Sequence, residues 1–124
     1  MGEETRAYRE LIVWQKAMDL VPVVYRLTRQ LPREELYELS SQIRRAVISV
    51  PANIAEGQGR QHPAEFAQHL SIARGSLAEL YTLLLAAQRL WCLQTDDLET
   101  ALPLMVEVRR LLQGLLQKVR STVT

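Results

Sequence analysis

The sequence predicts an all-α fold, an antiparallel up-down-up-down four-helix bundle, and three observations support it. Apolar residues recur at spacings of three and four along four long stretches, with almost no β-type alternation. Proline, glycine and short polar segments separate these stretches. The connections are short, so consecutive helices should be antiparallel neighbours. An exchange of two long helical hairpins between protomers is the competing arrangement.

The first helix is predicted over residues 8–29, and the segment 30–32 (QLP) ends it. Its side chains should contribute one apolar stripe to the core. The predicted stripe consists of Leu11, Trp14, Met18, Val21, Tyr25 and Thr28.

The second helix is predicted over residues 33–57, because Pro32 is followed by acidic residues that suit a first helical turn. Pro51 should bend this helix without ending it, since the apolar pattern resumes at Ile54. The segment 57–59 (GQG) should end it, with a glycine as the left-handed cap. The predicted stripe is Leu36, Leu39, Ile43, Ala46, Val47, Val50 and Ile54.

The third helix is predicted over residues 63–92, with Pro63 at its first position. A glycine in mid-helix costs ~1 kcal/mol relative to alanine. We therefore expect Gly75 to lie opposite Ala46, where two helix backbones approach closely. The predicted stripe is Phe66, Leu70, Ala73, Leu77, Leu80, Leu84, Ala87 and Trp91.

The fourth helix is predicted over residues 96–121, after a break at Thr95 and the two aspartates that follow. Pro103 either bends this helix or marks its true start, and the pattern favours a bend. The predicted stripe is Leu98, Leu102, Met105, Val108, Leu112, Leu115 and Val119.

Composition indicates one domain over residues 1–124, since 48% of its residues are hydrophobic. The chain has no uncharged apolar run of about 18 residues and no visible signal peptide, so we expect a cytoplasmic protein with no membrane partner. Cys92 is the single cysteine, which excludes an internal disulfide and favours a packing role.

The charge balance is close to neutral, with 15 basic and 14 acidic residues and a formal net charge of +1. A monomer with this balance has no strong field for nucleic acid, although copies around a symmetry axis would align their basic C-terminal segments. Apolar residues also lie outside the predicted stripes, which predicts a homo-oligomer. These residues are Ile12, Val13, Val24, Ile48, Ile72, Leu83, Leu85, Leu90, Leu104 and Leu111.

A set of polar residues lies among the apolar positions of the second and third helices. Folding these helices about residue 60 should bring Arg45 near Ser76 and Glu79. The favoured interpretation is a structural network that fixes helix register, and the alternative is a polar binding site at the bundle edge. The set is Arg44, Arg45, Asn53, Glu56, Arg74 and Glu79.

No catalytic residue, metal or cofactor is predicted. The hairpin geometry places Glu56 and Glu79 too far apart for an acid–base pair. His62, Glu65 and His69 have at most the spacing of a weak, adventitious metal site, and a helix cap with an exposed histidine is the favoured interpretation.

Basic residues on the first and last helices are the candidates for nucleic-acid contact. These two helices should be neighbours, so their point charges could share one face and contact phosphates. A solvated helix surface is the alternative for any one of them. The candidates are Arg6, Arg9, Lys16, Arg109, Arg110, Lys118 and Arg120.

Five motifs together resemble the 23S rRNA intervening-sequence protein family, which includes the accessory protein of diversity-generating retroelements. The resemblance covers nearly the whole chain. The motifs are residues 11–18 (LIVWQKAM), Pro32 with Glu35, 42–46 (QIRRA), 49–57 (SVPANIAEG) with Arg60, and 72–79 (IARGSLAE).

The resemblance implies an antiparallel bundle assembled as a ring-like homopentamer without catalytic activity. Retroelement members are thought to bind nucleic acid and a reverse transcriptase through a basic surface. Two features differ here: His62 stands where the family usually has Ser or Thr, and the chain is nearly neutral whereas retroelement members are strongly basic.

The sequence therefore predicts a non-enzymatic, homo-oligomeric interaction protein whose partners are copies of itself, RNA or DNA, and a reverse transcriptase or another protein. A protein-only scaffold or adaptor that never contacts nucleic acid is the alternative.

Overall fold

The computed structural model describes residues 8–34 and 36–123, which form four α-helices and no β-strand. A short 3-10 segment, Asp96–Leu98, precedes the last helix. The all-α prediction is confirmed. The helices are α1 (Ile12–Thr28), α2 (Tyr37–Gly59), α3 (Pro63–Arg89) and α4 (Ala101–Arg120).

Each helix packs against two neighbours. α2 contacts α1 and α3, and α4 also contacts α1 and α3, so the predicted adjacency of the first and last helices is confirmed. Apolar side chains from all four helices are buried between them, including Leu20, Ile54, Leu84 and Leu112. This shared core leaves the polar side chains at the helix junctions and on the surface.

α3 is long and apolar enough to resemble a membrane span, with a mean hydropathy of 1.2 over its most apolar window. A core helix passes the same test. Leu70, Leu80 and Leu84 of α3 are fully buried, and the helix contacts both α2 and α4. We therefore interpret α3 as a core helix of the bundle.

The predicted stripe of α1 was only partly right: of its six residues Thr28 is buried, four are half-buried against the core and Met18 is exposed. Residues 11–14 are all apolar, so two adjacent stripes compete, and the structure buries the one that the prediction did not choose. Met18 is 42% exposed, and Trp14 packs edge-on against Tyr8 at a ring distance of 5.2 Å. The helix also starts at Ile12 instead of residue 8. Its buried residues are Val13, Ala17, Leu20, Val24, Leu27 and Thr28.

Both predicted ends of α2 also differ from the structure. Leu31 is buried, and the Leu36 amide donates to the Pro32 carbonyl at 3.1 Å, so a turn precedes the helix. The predicted passage of the helix through Pro51 is confirmed. No glycine among the described residues has a positive φ, and the left-handed residue after α2 is Gln61, with φ 65°.

The close approach of two helices occurs at Gly57, and the prediction that placed it at Gly75 was wrong. A Cβ atom added to Gly57 would lie 2.6 Å from the His69 Cβ and 3.1 Å from Phe66 Cδ1. Gly75 is exposed, and a Cβ there would meet nothing within 4 Å. Gly57 therefore stays inside α2 because only glycine fits against α3 at this position.

The connection between α3 and α4 contains two further corrections. α3 ends at Arg89, and Trp91 is 84% exposed with φ 64°, outside the core stripe. The Cys92 amide donates to the Ala87 carbonyl and the Trp91 amide to the Gln88 carbonyl, both at 3.0 Å, which closes the end of the helix. α4 starts at Ala101, so Pro103 lies in its first turn, where a missing amide donor costs little.

Candidate functional site

The side of α2 that faces α3 carries a closed set of polar contacts, which we call the α2–α3 polar line. The Ser49 and Ser76 hydroxyls lie 2.8 Å apart. The Asn53 amide nitrogen donates to the Ser49 carbonyl at 2.9 Å and to its hydroxyl at 3.0 Å, and its Oδ1 lies 3.2 Å from His69 Nδ1. These four side chains satisfy one another, which is the pattern of a structural network.

The side of α2 that faces α1 carries an arginine held in a fixed position. Arg44 Nε donates to Thr28 Oγ1 at 3.0 Å, and that hydroxyl donates to the Tyr25 carbonyl at 2.7 Å. The Arg44 guanidinium also lies 5.0 Å from the centre of the Tyr25 ring. Thr28 is only 3% exposed. Arg44 is therefore anchored by a buried hydroxyl and an aromatic ring.

Arg44 lines an open groove of about 660 Å³ between the end of α1, the following connection and the first half of α2. We call it the Arg–Tyr groove. Among the described residues, four arginines and no carboxylate line it. Its lining residues are Tyr25, Thr28, Arg29, Leu31, Arg33, Tyr37, Ser40, Ser41, Arg44, Arg45, Ile48 and Ser49.

The groove arginines lack acidic partners. In the described chain the two ion pairs lie elsewhere, one between Lys16 and Glu107 and one between Glu56 and Arg60. Guanidinium groups at the surface of an open groove that form no ion pair with a described carboxylate offer donors to an anion.

The six polar residues predicted as one network are spread over several contacts. Arg44 belongs to the Arg–Tyr groove, and Asn53 belongs to the α2–α3 polar line. Glu56 pairs with Arg60 one turn later at 2.9 Å, and both side chains are about half exposed. The described contacts do not join these residues to each other.

The other members of the predicted network are also separate. Arg45 is exposed and lines the Arg–Tyr groove, whereas Ser76, its expected neighbour, contacts Ser49. Glu79 is exposed and has no hydrogen bond or ion pair within the described residues. Arg74 donates to Gln113 Oε1 of α4 at 3.1 Å.

The predicted basic residues of the first and last helices differ in their contacts. Arg6 lies outside the described residues. Lys16 forms an ion pair with Glu107 across α1 and α4 at 3.5 Å, and Arg9 lies 6.0 Å from the Tyr8 ring. Arg120 donates to Ser71 Oγ of α3 at 3.2 Å.

The remaining three predicted basic residues are exposed on α4. Arg109 and Arg110 line a surface groove between α3 and α4 together with Arg74. Lys118 lies near the other end of α4, where it lines a small groove beside His62. The structure therefore gathers the basic residues of α4 towards α3.

We call Arg74, Arg109 and Arg110 the α3–α4 arginine row. A second, mostly apolar groove of about 490 Å³ adjoins the surface groove that this row lines, and the two grooves share Arg74, Val106 and Arg109. Tyr81 is 45% exposed there and Val106 is 46% exposed. We call this the α3–α4 apolar groove. Its lining residues are Arg74, Leu77, Ala78, Tyr81, Leu102, Met105, Val106 and Arg109.

The off-stripe apolar residues have mixed positions. Val13 and Val24 are buried, which corrects their predicted place outside the core. Four others have large exposed fractions, from 43% to 60%, and they lie on α1, on α2, on α3 and just after it. These four are Ile12, Ile48, Ile72 and Leu90.

The histidines and the cysteine show no metal-binding arrangement. Within residues 8–34 and 36–123, no group of three or more His, Cys, Asp or Glu side chains is placed to hold an ion. His69 Nδ1 is engaged by Asn53, away from His62 and Glu65. Cys92 is half-buried, and its thiol lies 3.5 Å from the Leu90 carbonyl.

Sequence reasoning missed Arg29, Arg33 and Tyr37 as site residues. They lie at the C-cap of α1, in the connection and at the first residue of α2, where residues were interpreted only as helix boundaries. A signal was present in the sequence. Folding α1 against α2 brings Arg29 and Arg33, which lie beside the connection, towards Arg44 and Arg45 in the first half of α2.

A comparison with protein families gives one match. The model described as 23S rRNA-intervening sequence protein matches residues 9–114, which include α1, α2, α3 and most of α4. No curated protein matches the sequence.

Proposed function

Because the chain belongs to the 23S rRNA-intervening sequence protein family, we propose that it is a non-enzymatic, homo-oligomeric protein that binds RNA or DNA. The observation that carries this proposal is the α3–α4 surface, where an apolar groove adjoins a row of arginines. We assign no catalytic residue, metal or cofactor, place the protein in the cytoplasm, and count a reverse transcriptase or another protein among its further partners.

The proposed architecture is the antiparallel up-down-up-down bundle. Between α2 and α3, the earlier residue Ser49 meets the later residue Ser76, and Asn53 meets His69. Contacts between α3 and α4 run in the same opposed order, since Ser71 meets Arg120 and Arg74 meets Gln113. Opposed order is what antiparallel neighbours produce.

The proposed occupant of the α3–α4 apolar groove is a second copy of this chain. Tyr81 and Val106 leave apolar area in water there, which usually marks an interaction surface. The resemblance to the family implies that such contacts close into a pentameric ring.

The proposed nucleic-acid surface is the α3–α4 arginine row, Arg74, Arg109 and Arg110. Arginine side chains contact phosphates without any requirement for base sequence. A ring of copies would repeat this row around its axis, so that a nearly neutral chain would present a locally basic surface.

Light scattering tests the assembly. We expect about 71 kDa for five chains of 14.2 kDa at micromolar concentration. Val106→Lys, which places a charge in the apolar groove, should reduce this mass. Met18→Lys is the matched control, because Met18 is also exposed and lies on α1, outside that groove. A folded wild-type monomer of 14.2 kDa would contradict the proposal.

Titration with labelled RNA or DNA at 50 and 200 mM salt tests the binding. Each phosphate contact contributes roughly −0.7 to −0.9 to the slope of log affinity against log salt, so the affinity should fall steeply. Arg109→Gln with Arg110→Gln should weaken binding. An oligomer that binds neither RNA nor DNA at 50 mM salt would favour the alternative, a protein-only scaffold or adaptor.

A further inference from the structure

We propose that the Arg–Tyr groove between α1 and α2 is a nucleotide-binding site, with the phosphate on its arginines and the base against Tyr37. The same chemistry is offered by a free nucleotide and by one nucleotide of a single strand. The single-strand form rests on the proposed nucleic-acid role and adds a site apart from the α3–α4 arginine row.

The four groove arginines would bind the phosphate. Arg44 is held by Thr28 and the Tyr25 ring, which orders the guanidinium before any ligand arrives. Its two terminal nitrogens have no hydrogen-bond acceptor in the described chain. Arg29, Arg33 and Arg45 line the same groove and are exposed. An anion in this groove would therefore meet several guanidinium donors, and no carboxylate is among the described residues that line it.

The neighbouring acids do not neutralise these arginines. Glu34 follows Arg33 in the connection, and Glu38, in the first turn of α2, lines a small adjoining groove with Arg45. Glu35 lies outside the described residues. Glu34 and Glu38 are exposed, and neither forms an ion pair with a groove arginine in the parts of the chain that are described.

The hydroxyls of Ser40 and Ser41 also line the groove. The Ser40 hydroxyl donates to the Thr28 carbonyl at 3.4 Å, and the Ser41 hydroxyl adds a neutral donor for phosphate oxygens.

Tyr37 and Ile48 would contact the base. Tyr37 is 72% exposed at the first residue of α2, and Ile48 is 43% exposed three turns later. A tyrosine ring left in water beside guanidinium groups is a platform on which a base can stack. Stacking accepts any base, so the groove would not require a particular sequence.

The groove dimensions suit this ligand. A volume of about 660 Å³ lies within the range of roughly 300–1,000 Å³ that is typical of small-ligand sites. A single strand exposes its base faces, whereas a duplex buries them in its own stack. The groove should therefore prefer a single strand over a duplex of equal length.

The test is fluorescence anisotropy with a labelled 12-nucleotide single-stranded RNA and with the matching duplex, on the full chain. Tyr37→Ala should weaken single-strand binding by about tenfold or more. Arg33→Gln with Arg45→Gln should weaken it and lower the salt slope by about 1.4. All three residues are exposed, so far-UV circular dichroism and thermal melts should match those of the wild type.

The matched control is Arg26→Gln with Arg89→Gln, which removes the same charge from exposed positions outside the Arg–Tyr groove and the α3–α4 grooves. It should leave single-strand binding close to wild type. If the control weakens binding as much as the groove pair does, general charge explains the effect and the groove assignment is overturned. Equal weakening of single-strand and duplex binding by Tyr37→Ala would also overturn it.

Two further results separate this inference from the proposed function. If RNA binding is weakened by the Arg109 and Arg110 substitutions but not by the Arg–Tyr groove substitutions, the groove assignment is contradicted and the proposed function is supported. The second result comes from titration with adenosine monophosphate alone. Binding of that nucleotide, lost in the Arg33/Arg45 variant, without any RNA or DNA binding would keep the groove assignment and contradict the proposed nucleic-acid role.

Discussion

The two polar sides of α2 differ in whether their polar groups already have partners. On the α3 side, Ser49 and Asn53 contact Ser76 and His69, so donors and acceptors match within the protein. On the α1 side, Arg44 Nε and the Ser40 hydroxyl contact Thr28, whereas the side chains of Arg29, Arg33 and Arg45 make no hydrogen bond or ion pair within the described residues.

Structural and functional polar residues on one helix differ in whether their hydrogen-bonding groups are satisfied within the protein. A satisfied and partly buried cluster contributes to register and stability, since breaking it leaves a polar group unpaired. An exposed set of like charges contributes little to folding and keeps its donors available for a ligand. The α2–α3 polar line fits the first description, and the Arg–Tyr groove fits the second.

The largest expected effect is on the α3 side, at the close approach of the helices. Gly57→Val should lower the free energy of unfolding by about 3 kcal/mol, because its Cβ would lie 2.6 Å from the His69 Cβ. Equilibrium denaturation in urea measures this change. Gly75→Ala is the control, and it should raise stability by about 0.5–1 kcal/mol because its site is open. Similar effects at both positions would contradict the proposed packing.

A smaller loss is expected from the polar line itself. Asn53→Ala should lower the free energy of unfolding by about 2 kcal/mol, since the Ser49 and His69 groups lose a partner. Glu56→Ala, one turn away, removes an exposed ion pair with Arg60 and should change stability by no more than about 0.5 kcal/mol. Urea denaturation of both variants checks the difference, and equal losses would show that the polar line is not a stabilising unit.

The smallest effect on stability is expected at the support of Arg44. Thr28→Val keeps the side-chain shape, removes the acceptor of the Arg44 Nε, and should cost about 1 kcal/mol. Nucleotide affinity should also fall, although no charge changes. Ser41→Ala, which removes a groove hydroxyl that makes no hydrogen bond in the described structure, is the stability control. Unchanged affinity in Thr28→Val would show that the position of Arg44 does not matter for the ligand.

The helical periodicity predicted the four helices and most of the core on α2 and α3, because each of these helices has one dominant apolar stripe. It was only partly right on α1, where residues 11–14 are apolar on several sides and the burial of Ala17 depends on the neighbouring helices. The roles of Gly57 and Gly75 were exchanged for a related reason. A glycine forced by tertiary contact and one that is merely tolerated look identical in a single sequence.

The candidate site was predicted only in part. Arg44 and Arg45 were identified, but they were assigned to a network with residues that face α3 or α4. Arg29, Arg33 and Tyr37 were missed, because they join the groove only when the α1–α2 connection folds back over α2. Trp91 shows the same limit, since it matches the core spacing of α3 yet lies 84% exposed after the helix has ended.

The most direct test measures stability and single-strand binding on the same two variants, Asn53→Ala and the Arg33→Gln/Arg45→Gln pair. We predict a crossed result: Asn53→Ala loses about 2 kcal/mol of unfolding free energy but binds RNA like the wild type wherever it is folded. The arginine pair should keep wild-type stability and lose binding. If each variant changes both quantities in parallel, the two sides of α2 do not divide structure from function, and the account is contradicted.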